Sequence, residues 1–275
     1  MTPEESYLFD LNGYLILRDV LPRDFVAALN RELDIHLVEE LGEEKAAAMG
    51  IIESRQISSA DTTERPKTFS GPCLKYGEVF EKLIDWPVTL PYMKEMIDEP
   101  MRMDSMHYLY RPPGGWTSLH HGYSELLAYS EYALNNNRFQ CVSVKIGYAL
   151  TDVTVENGAF AVIPGSHKSN YMNPRHLEMP EENDPLVEVC PCRAGDAIIF
   201  SEDLTHGAVM NRSDSTRRTI FVSYAPSFQA PWCDHTETAE GFAERAAPEQ
   251  RELIYGPQAF GKETGFNEEP VRQKD

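Results

Sequence analysis

Three stretches of the chain place metal-seeking and anion-seeking side chains in an order that makes chemistry possible. Leu119-His120-His121-Gly122 follows a Pro- and Gly-rich loop, Pro112 to Trp116. Gly195-Asp196-Ala197-Ile198-Ile199-Phe200 runs into Leu204-Thr205-His206-Gly207, and Arg217 comes eleven residues after His206. Imidazole suits Fe(II), and two well-separated histidines supply two positions on one face of an iron site, leaving the other face open to cosubstrate and oxygen. An arginine on the next strand offers a planar fork that grips one end of a dicarboxylate in a way lysine cannot match. His120, His206 and Arg217 thus fit one scheme. Each is also an ordinary residue on its own: a single histidine is more often a surface or hydrogen-bonded residue than a ligand. His107 and His167 have the same weakness, and eight histidines in all give accidental pairings.

The elements that must position these residues come from periodicity. Gly13-Tyr14-Leu15-Ile16-Leu17, within Phe9 to Asp19, reads as a short strand after an Asn12-Gly13 turn. Pro22 to Val38 carries Phe25, Val26, Ala28, Leu29, Leu33 and Leu37 at helical spacing. Residues 40–100 are mixed, with helical patches over Glu78 to Leu83 and Leu90 to Ile97; the polar stretch Ser54 to Ser70 reads as a surface loop or an active-site lid. After Pro100 the runs become β-rich: Met106 to Tyr110, Cys141 to Leu150, Ala159 to Ile163, Val187 to Cys190, Ala197 to Phe200 and Thr219 to Tyr224. Strands at that spacing imply an all-β core with N-terminal helices, in a sandwich or barrel of which the jelly roll is the double-sheet version. No internal repeat is visible. The chain is expected to form a single domain over 1–275: a helical part over about 1–100, a jelly-roll core over about 101–228, and a tail over 229–275 that wraps the surface or moves.

Composition narrows the function classes. With 41% hydrophobic and 10% aromatic residues the chain can pack an interior. Its 44 acidic against 25 basic residues give a net charge of -19, which disfavours nucleic acid and anionic lipid as partners. Five cysteines without a Cys-x-x-Cys pair predict reduced, mostly structural thiols. The N-terminal residues lack a basic stretch followed by an apolar one, and no apolar run approaches the ~18 residues of a membrane span. A soluble, cytoplasmic protein with no membrane partner is the expectation, and oligomeric state is not readable.

The sequence resembles the phytanoyl-CoA dioxygenase family. The likeness runs over roughly residues 5–228. It is carried by Gly13-Tyr14-Leu15, Leu119-His120, Leu150-Thr151-Asp152-Val153 with Glu156-Asn157-Gly158-Ala159-Phe160, the turn Ile163-Pro164-Gly165-Ser166-His167-Lys168, Ala194-Gly195-Asp196, His206-Gly207 and Arg217-Arg218-Thr219-Ile220. The resemblance implies a double-stranded β-helix (a cupin-like jelly roll), Fe(II), 2-oxoglutarate as cosubstrate and O2. It implies His120 and His206 as iron ligands and Arg217 as the 2-oxoglutarate clamp. Members oxidise unactivated C-H bonds of varied small molecules, so a small-molecule substrate is implied and its identity is not. Pro164 to His167 reads as a structural turn, and His167 as a non-ligand.

One position departs from the family. Its first histidine belongs to a His-x-Asp motif whose aspartate is the third ligand; here Gly122 stands in that place. Three readings compete. A halide such as chloride fills the position, as in iron halogenases that carry Gly or Ala there. Water or another side chain fills it and leaves a hydroxylase, with Glu202 and Glu125 the nearest acids. Or the chain is a non-catalytic relative that binds ligands without turnover. Arg111, Trp116, Tyr123 and Tyr148 are candidates to face substrate or 2-oxoglutarate, although aromatic positions on a jelly roll are more often core. No catalytic residue is assigned beyond the metal centre.

Overall fold

The computed structural model describes residues 1–51, 68–98, 100–121, 132–229 and 236–256. The chain opens on a helix that periodicity did not announce. α1 (Pro3–Asn12) starts at Thr2, whose hydroxyl accepts from the Glu5 amide while Glu5 accepts from the Thr2 amide, with Pro3 in the first turn. Phe9 to Asn12 therefore belongs to this helix, and β1 is confined to Tyr14–Leu17. α2 (Arg23–Leu41) buries Val26, Leu29, Leu33 and Leu37 along one stripe, as the spacing predicts. The short α3 (Glu43–Ala48), α4 (Glu78–Glu81) and α5 (Leu90–Ile97) complete the helical layer.

Two facing sheets form the β core, as expected of a jelly roll. Besides β1, the larger sheet contains β2 (Phe69–Pro72), β3 (Met101–Arg111), β7 (Val144–Ala149), β10 (Ala197–Ser201) and β12 (Arg217–Pro226), in the order β1-β10-β7-β12-β3-β2. The smaller contains β4 (Thr117–His120), β8 (Phe160–Val162), β9 (Glu188–Cys190) and β11 (His206–Ala208), in the order β4-β11-β8-β9. β5 (Tyr132–Asn135) and β6 (Arg138–Cys141) make a separate hairpin. Every pairing within the two sheets is antiparallel. Each β-rich run expected from the sequence overlaps a strand; in Cys141 to Leu150, Cys141 ends β6 and Val144–Ala149 form β7. β2, β4, β5, most of β6 and β11 were not foreseen, and β4 and β11 are the strands that carry the histidines.

The outer face of the larger sheet is covered by helices. Leu29, Leu33, Met93, Met96, Ile146, Ile220 and Val222 share one buried cluster there. The inner face meets the smaller sheet through Phe160, Val162, Ile198, Phe200, Leu204 and Phe221. Within the tail, residues 236–256 wrap back onto the helical layer: α6 (Phe242–Arg245) and α7 (Pro248–Tyr255) pack there, with Arg245 paired to Glu81 and Gln250 Nε2 donating to Asp85 at 2.8 Å. Cys73, Cys141, Cys190 and Cys192 are buried and free, in keeping with reduced thiols. Among the described residues no helix is long and apolar enough to cross a membrane.

Candidate active site

The two histidines meet across the smaller sheet. His120 on β4 pairs in register with His206 on β11, and their ring centroids lie 4.2 Å apart at 52°. This approach needs Gly207, where a Cβ would come within 2.7 Å of the Thr117 carbonyl oxygen and 2.8 Å of that of Ser118. Each ring is held by its own chain: Nδ1 of His120 donates to Ser118 O and Nδ1 of His206 to Leu204 O, both at 2.7 Å. A carbonyl only accepts, so the proton sits on Nδ1 and the Nε2 lone pair is left for a metal. Burial lowers the pKa of both rings, and for His206 the neighbouring His120 lowers it further. Both imidazoles are therefore neutral near pH 7, the state in which they ligate.

The arginines meet across the larger sheet. Arg217, at the start of β12, is the register partner of Arg111, at the end of β3. Both guanidinium groups are buried and donate to the Gly158 carbonyl, and Arg111 also donates to the Thr117 hydroxyl. Gly158 turns with φ +86, where a side chain would be strained and would press on Arg111. The Nε atoms of both arginines are buried without a partner, and among the described residues neither forms an ion pair with an acid. Desolvation pushes Arg217 down to about 10 and Arg111 well below its usual value, the neighbouring Arg217 adding to the effect at Arg111. Two buried cations without a counter-charge form a site for an anion.

Both pairs line one cavity of about 450 Å³ of empty space that opens to solvent, together with His107, Thr117, Lys145, Phe160, Phe200 and Phe221. His206 packs against Phe160 and Phe200, at centroid distances of 5.4 and 4.7 Å. The donor set suits iron with an anionic cosubstrate: paired imidazoles with fixed tautomers, and cations reachable by a carboxylate through the same space.

The remaining expected residues separate clearly. His167 Nε2 hydrogen-bonds to Asp10 O at 3.1 Å, and its ring stands edge-on to Tyr132, so it fastens the turn to α1. Tyr148 is fully buried with its hydroxyl 2.7 Å from that of Thr89, on the helix side of the sheet and away from the cavity. Trp116 is partly buried and does not line the cavity. Glu202 is buried with Oε1 accepting from Lys145 at 2.8 Å. Among the described residues no third His, Cys, Asp or Glu joins the histidine pair in a metal-binding group. Gly122, Tyr123 and Glu125 lie outside the described residues. Arg218 leaves the cavity for α2, where its Nη1 donates to both oxygens of Asp34 at 2.9 and 3.0 Å. Sequence reasoning missed Lys145, which lines the cavity from β7 and leaves no motif signal around it.

A profile of the family "Phytanoyl-CoA dioxygenase (PhyH)" matches residues 9–219. The chain belongs to this family. Like its relatives, this PhyH member is an Fe(II)- and 2-oxoglutarate-dependent oxygenase. Dioxygenase trt7 of Aspergillus terreus is 25% identical over 91% of this chain and 82% of its own length. The Fe(II)/2-oxoglutarate-dependent dioxygenase nvfF of Aspergillus novofumigatus is 29% identical over 38% of this chain and 34% of its own. Several other curated relatives are matched over less than half their length. HygX of Streptomyces hygroscopicus, solved with nickel, 2-oxoglutarate and hygromycin B, superposes with a TM-score of 0.67 at 24% identity, over 90% of this chain and 95% of that one. At that identity the likeness shows a shared fold.

Proposed function

We propose that this PhyH member oxidises an unactivated C-H bond of a small molecule at an iron held by Nε2 of His120 and Nε2 of His206. Arg217 and Arg111 receive the distal carboxylate of 2-oxoglutarate. The observation that carries the reading is the pair of tautomer-locked imidazoles sharing a cavity with two buried guanidiniums that meet no acid among the described residues. When bound, iron and cosubstrate supply the oxidising power, with O2 consumed and 2-oxoglutarate converted to succinate and CO2. The chain's own part is placement. The carbonyls of Ser118 and Leu204 aim the rings, the arginines fix one end of the cosubstrate, and Phe160, Phe200 and Phe221 keep water from that wall of the cavity. HygX binds hygromycin B, and by analogy the open side of this cavity takes an organic small molecule.

Gly122 in the His-x-Gly motif has no side chain to offer as the third ligand, and among the described residues Glu202, the nearest acid, is engaged by Lys145. An exogenous ligand, water or halide, fills that position in this reading. The relatives above are named dioxygenases, which favours oxygen transfer; the glycine supports halide transfer as the second reading. The test is substrate-dependent succinate formation with product masses, measured with chloride present and rigorously excluded. Iron-independent succinate, or none with any candidate substrate, would sink the first reading. Halide-independent hydroxylation would remove the second.

A further inference from the structure

The cavity has a third cation that the proposed function does not use. Lys145 on β7 lies in register with Phe200 on β10 and with Ser223 on β12. Directly opposed residues of an antiparallel pair share a face. Lys145 therefore stands beside Phe200, the ring on which His206 packs, and it lines the cavity together with both histidines and both arginines. Arg217 enters the same inner face six residues before Ser223 on β12. The cavity thus has cations at two levels: the arginine pair at one end, and Lys145 level with the histidines. The ammonium group is aimed by Glu202, itself 2% exposed, whose Oε1 accepts from Nζ at 2.8 Å. One carboxylate oxygen uses one of three ammonium donors and leaves the others for a ligand.

A short dicarboxylate gripped by the arginines has a second charged end that must come to rest near the histidines. We infer that Lys145, steered by Glu202, donates to the carboxylate at the 2-oxo end of the cosubstrate. Lys145 is then a binding residue for the reaction, with Glu202 as its positioning residue. The inference rests on the proposed role of this cavity in binding 2-oxoglutarate. It divides recognition by position: Arg217 reads the end that distinguishes a dicarboxylate from a 2-oxo monoacid, and Lys145 reads the end the two share.

That division is tested with Ni(II)-loaded full-length protein, in which binding is read by calorimetry without turnover. The probes are 2-oxoglutarate and 2-oxopentanoate, which keeps the 2-oxo acid and lacks the distal carboxylate. Lys145→Met should weaken both about tenfold or more, the worth of one hydrogen bond to a charged group. Arg217→Met should weaken 2-oxoglutarate and leave 2-oxopentanoate within about twofold. Because Lys145→Met strands the buried Glu202 carboxylate, the double variant Lys145→Met with Glu202→Gln is measured beside it, with circular dichroism to confirm folding, and should show the same loss for both probes. A folded double variant that binds both like wild type, or loses affinity for 2-oxoglutarate alone, would overturn the inference. Wild-type protein that binds neither probe in the presence of metal would overturn the cosubstrate reading of the cavity and this inference with it.

Discussion

The two sheets hold functional groups by opposite means. In the larger sheet, the arginines sit at the ends of β3, eleven residues long, and β12, ten residues long, and their charge is buried without an acid among the described residues to meet it. In the smaller sheet the histidines sit on strands of four and three residues, and each ring is tied to a carbonyl two residues back in its own chain. A long, helix-backed strand can bear a desolvated cation because many neighbouring contacts hold it; unpaired buried charge costs several kcal/mol after relaxation. A short strand has no such reserve, so the orientation of its side chain is fixed locally. The cation end of the site is thus held by global packing and the imidazole end by local hydrogen bonds.

If that contrast is right, the largest losses come from the smaller sheet. His120→Ala and His206→Ala should each abolish Fe(II) binding and turnover in anaerobic titration, since no third side chain among the described residues completes the pair. Folding should survive both, because the β4–β11 pairing does not depend on the rings. Metal affinity like that of wild type in either variant would place the iron elsewhere.

The next effect belongs to the larger sheet. Arg217→Ala should weaken 2-oxoglutarate binding by about 2–5 kcal/mol, the cost of losing one partner of a desolvated charge pair. It should also stabilise the protein without ligand, because a buried cation that no acid among the described residues neutralises is removed. Thermal melts with and without cosubstrate read both quantities. A variant whose ligand-free melting temperature falls would mean that the larger sheet does not carry its arginines at a cost.

Gly122→Asp asks what fills the third position. A carboxylate there should take the coordination site, removing any dependence on halide while permitting hydroxylation, as read by product mass and succinate yield. A chlorinated product made by wild type and lost in the variant would support halide transfer.

The contrast between the sheets also explains how much could be read from sequence. β3, β7, β10 and β12 announced themselves as apolar runs because both of their faces are covered, by helices outside and by the smaller sheet inside. β4 and β11 did not, since Thr117-Ser118-Leu119-His120 and His206-Gly207-Ala208 are too short and too polar to show a period. Their residues were found through motif order and family likeness. Arg111 was legible as a candidate to face substrate or 2-oxoglutarate, but its partnership with Arg217, and Lys145 altogether, needed register: only when β3 pairs with β12, and β7 with β10, does it emerge that they share a face with Arg217 and Phe200. Pairing between strands distant in sequence leaves no local trace. α1 was legible in principle from Thr2-Pro3-Glu4-Glu5, whose capping signal outweighs its weak amphipathicity.

A smaller effect separates neighbours on one strand. Arg218 pairs with Asp34 and lies 4.8 Å over the Tyr110 ring on the helix-covered face. Arg218→Ala should lower stability by about 1–2 kcal/mol, a typical loss for a partly buried network, and leave 2-oxoglutarate affinity intact. Equal losses of affinity from Arg217→Ala and Arg218→Ala would mean that β12 does not present the register assigned to it.

The smallest effect concerns pH and the anchor of the turn outside the site. Burial pushes His167 down to about 4, below the ~6.5 of an unfolded histidine. The folded ring stays neutral while the unfolded one takes up a proton, so the unfolded state binds more protons between those values and stability falls as pH drops from about 6.5 towards 4. Above that window His167 makes no pH-dependent contribution. His120 and His206, also depressed, add to the same slope, and metal ligation, which keeps protons off both rings in the fold, retains their share. His167→Gln keeps an amide donor for the Asp10 carbonyl and cannot protonate. Measured against wild type in the same metal state, it should reduce the acid slope of denaturant midpoints between pH 6.5 and 4. An unchanged slope would show that His167 is protonated in the fold and that the Asp10 contact is weaker than its 3.1 Å geometry implies.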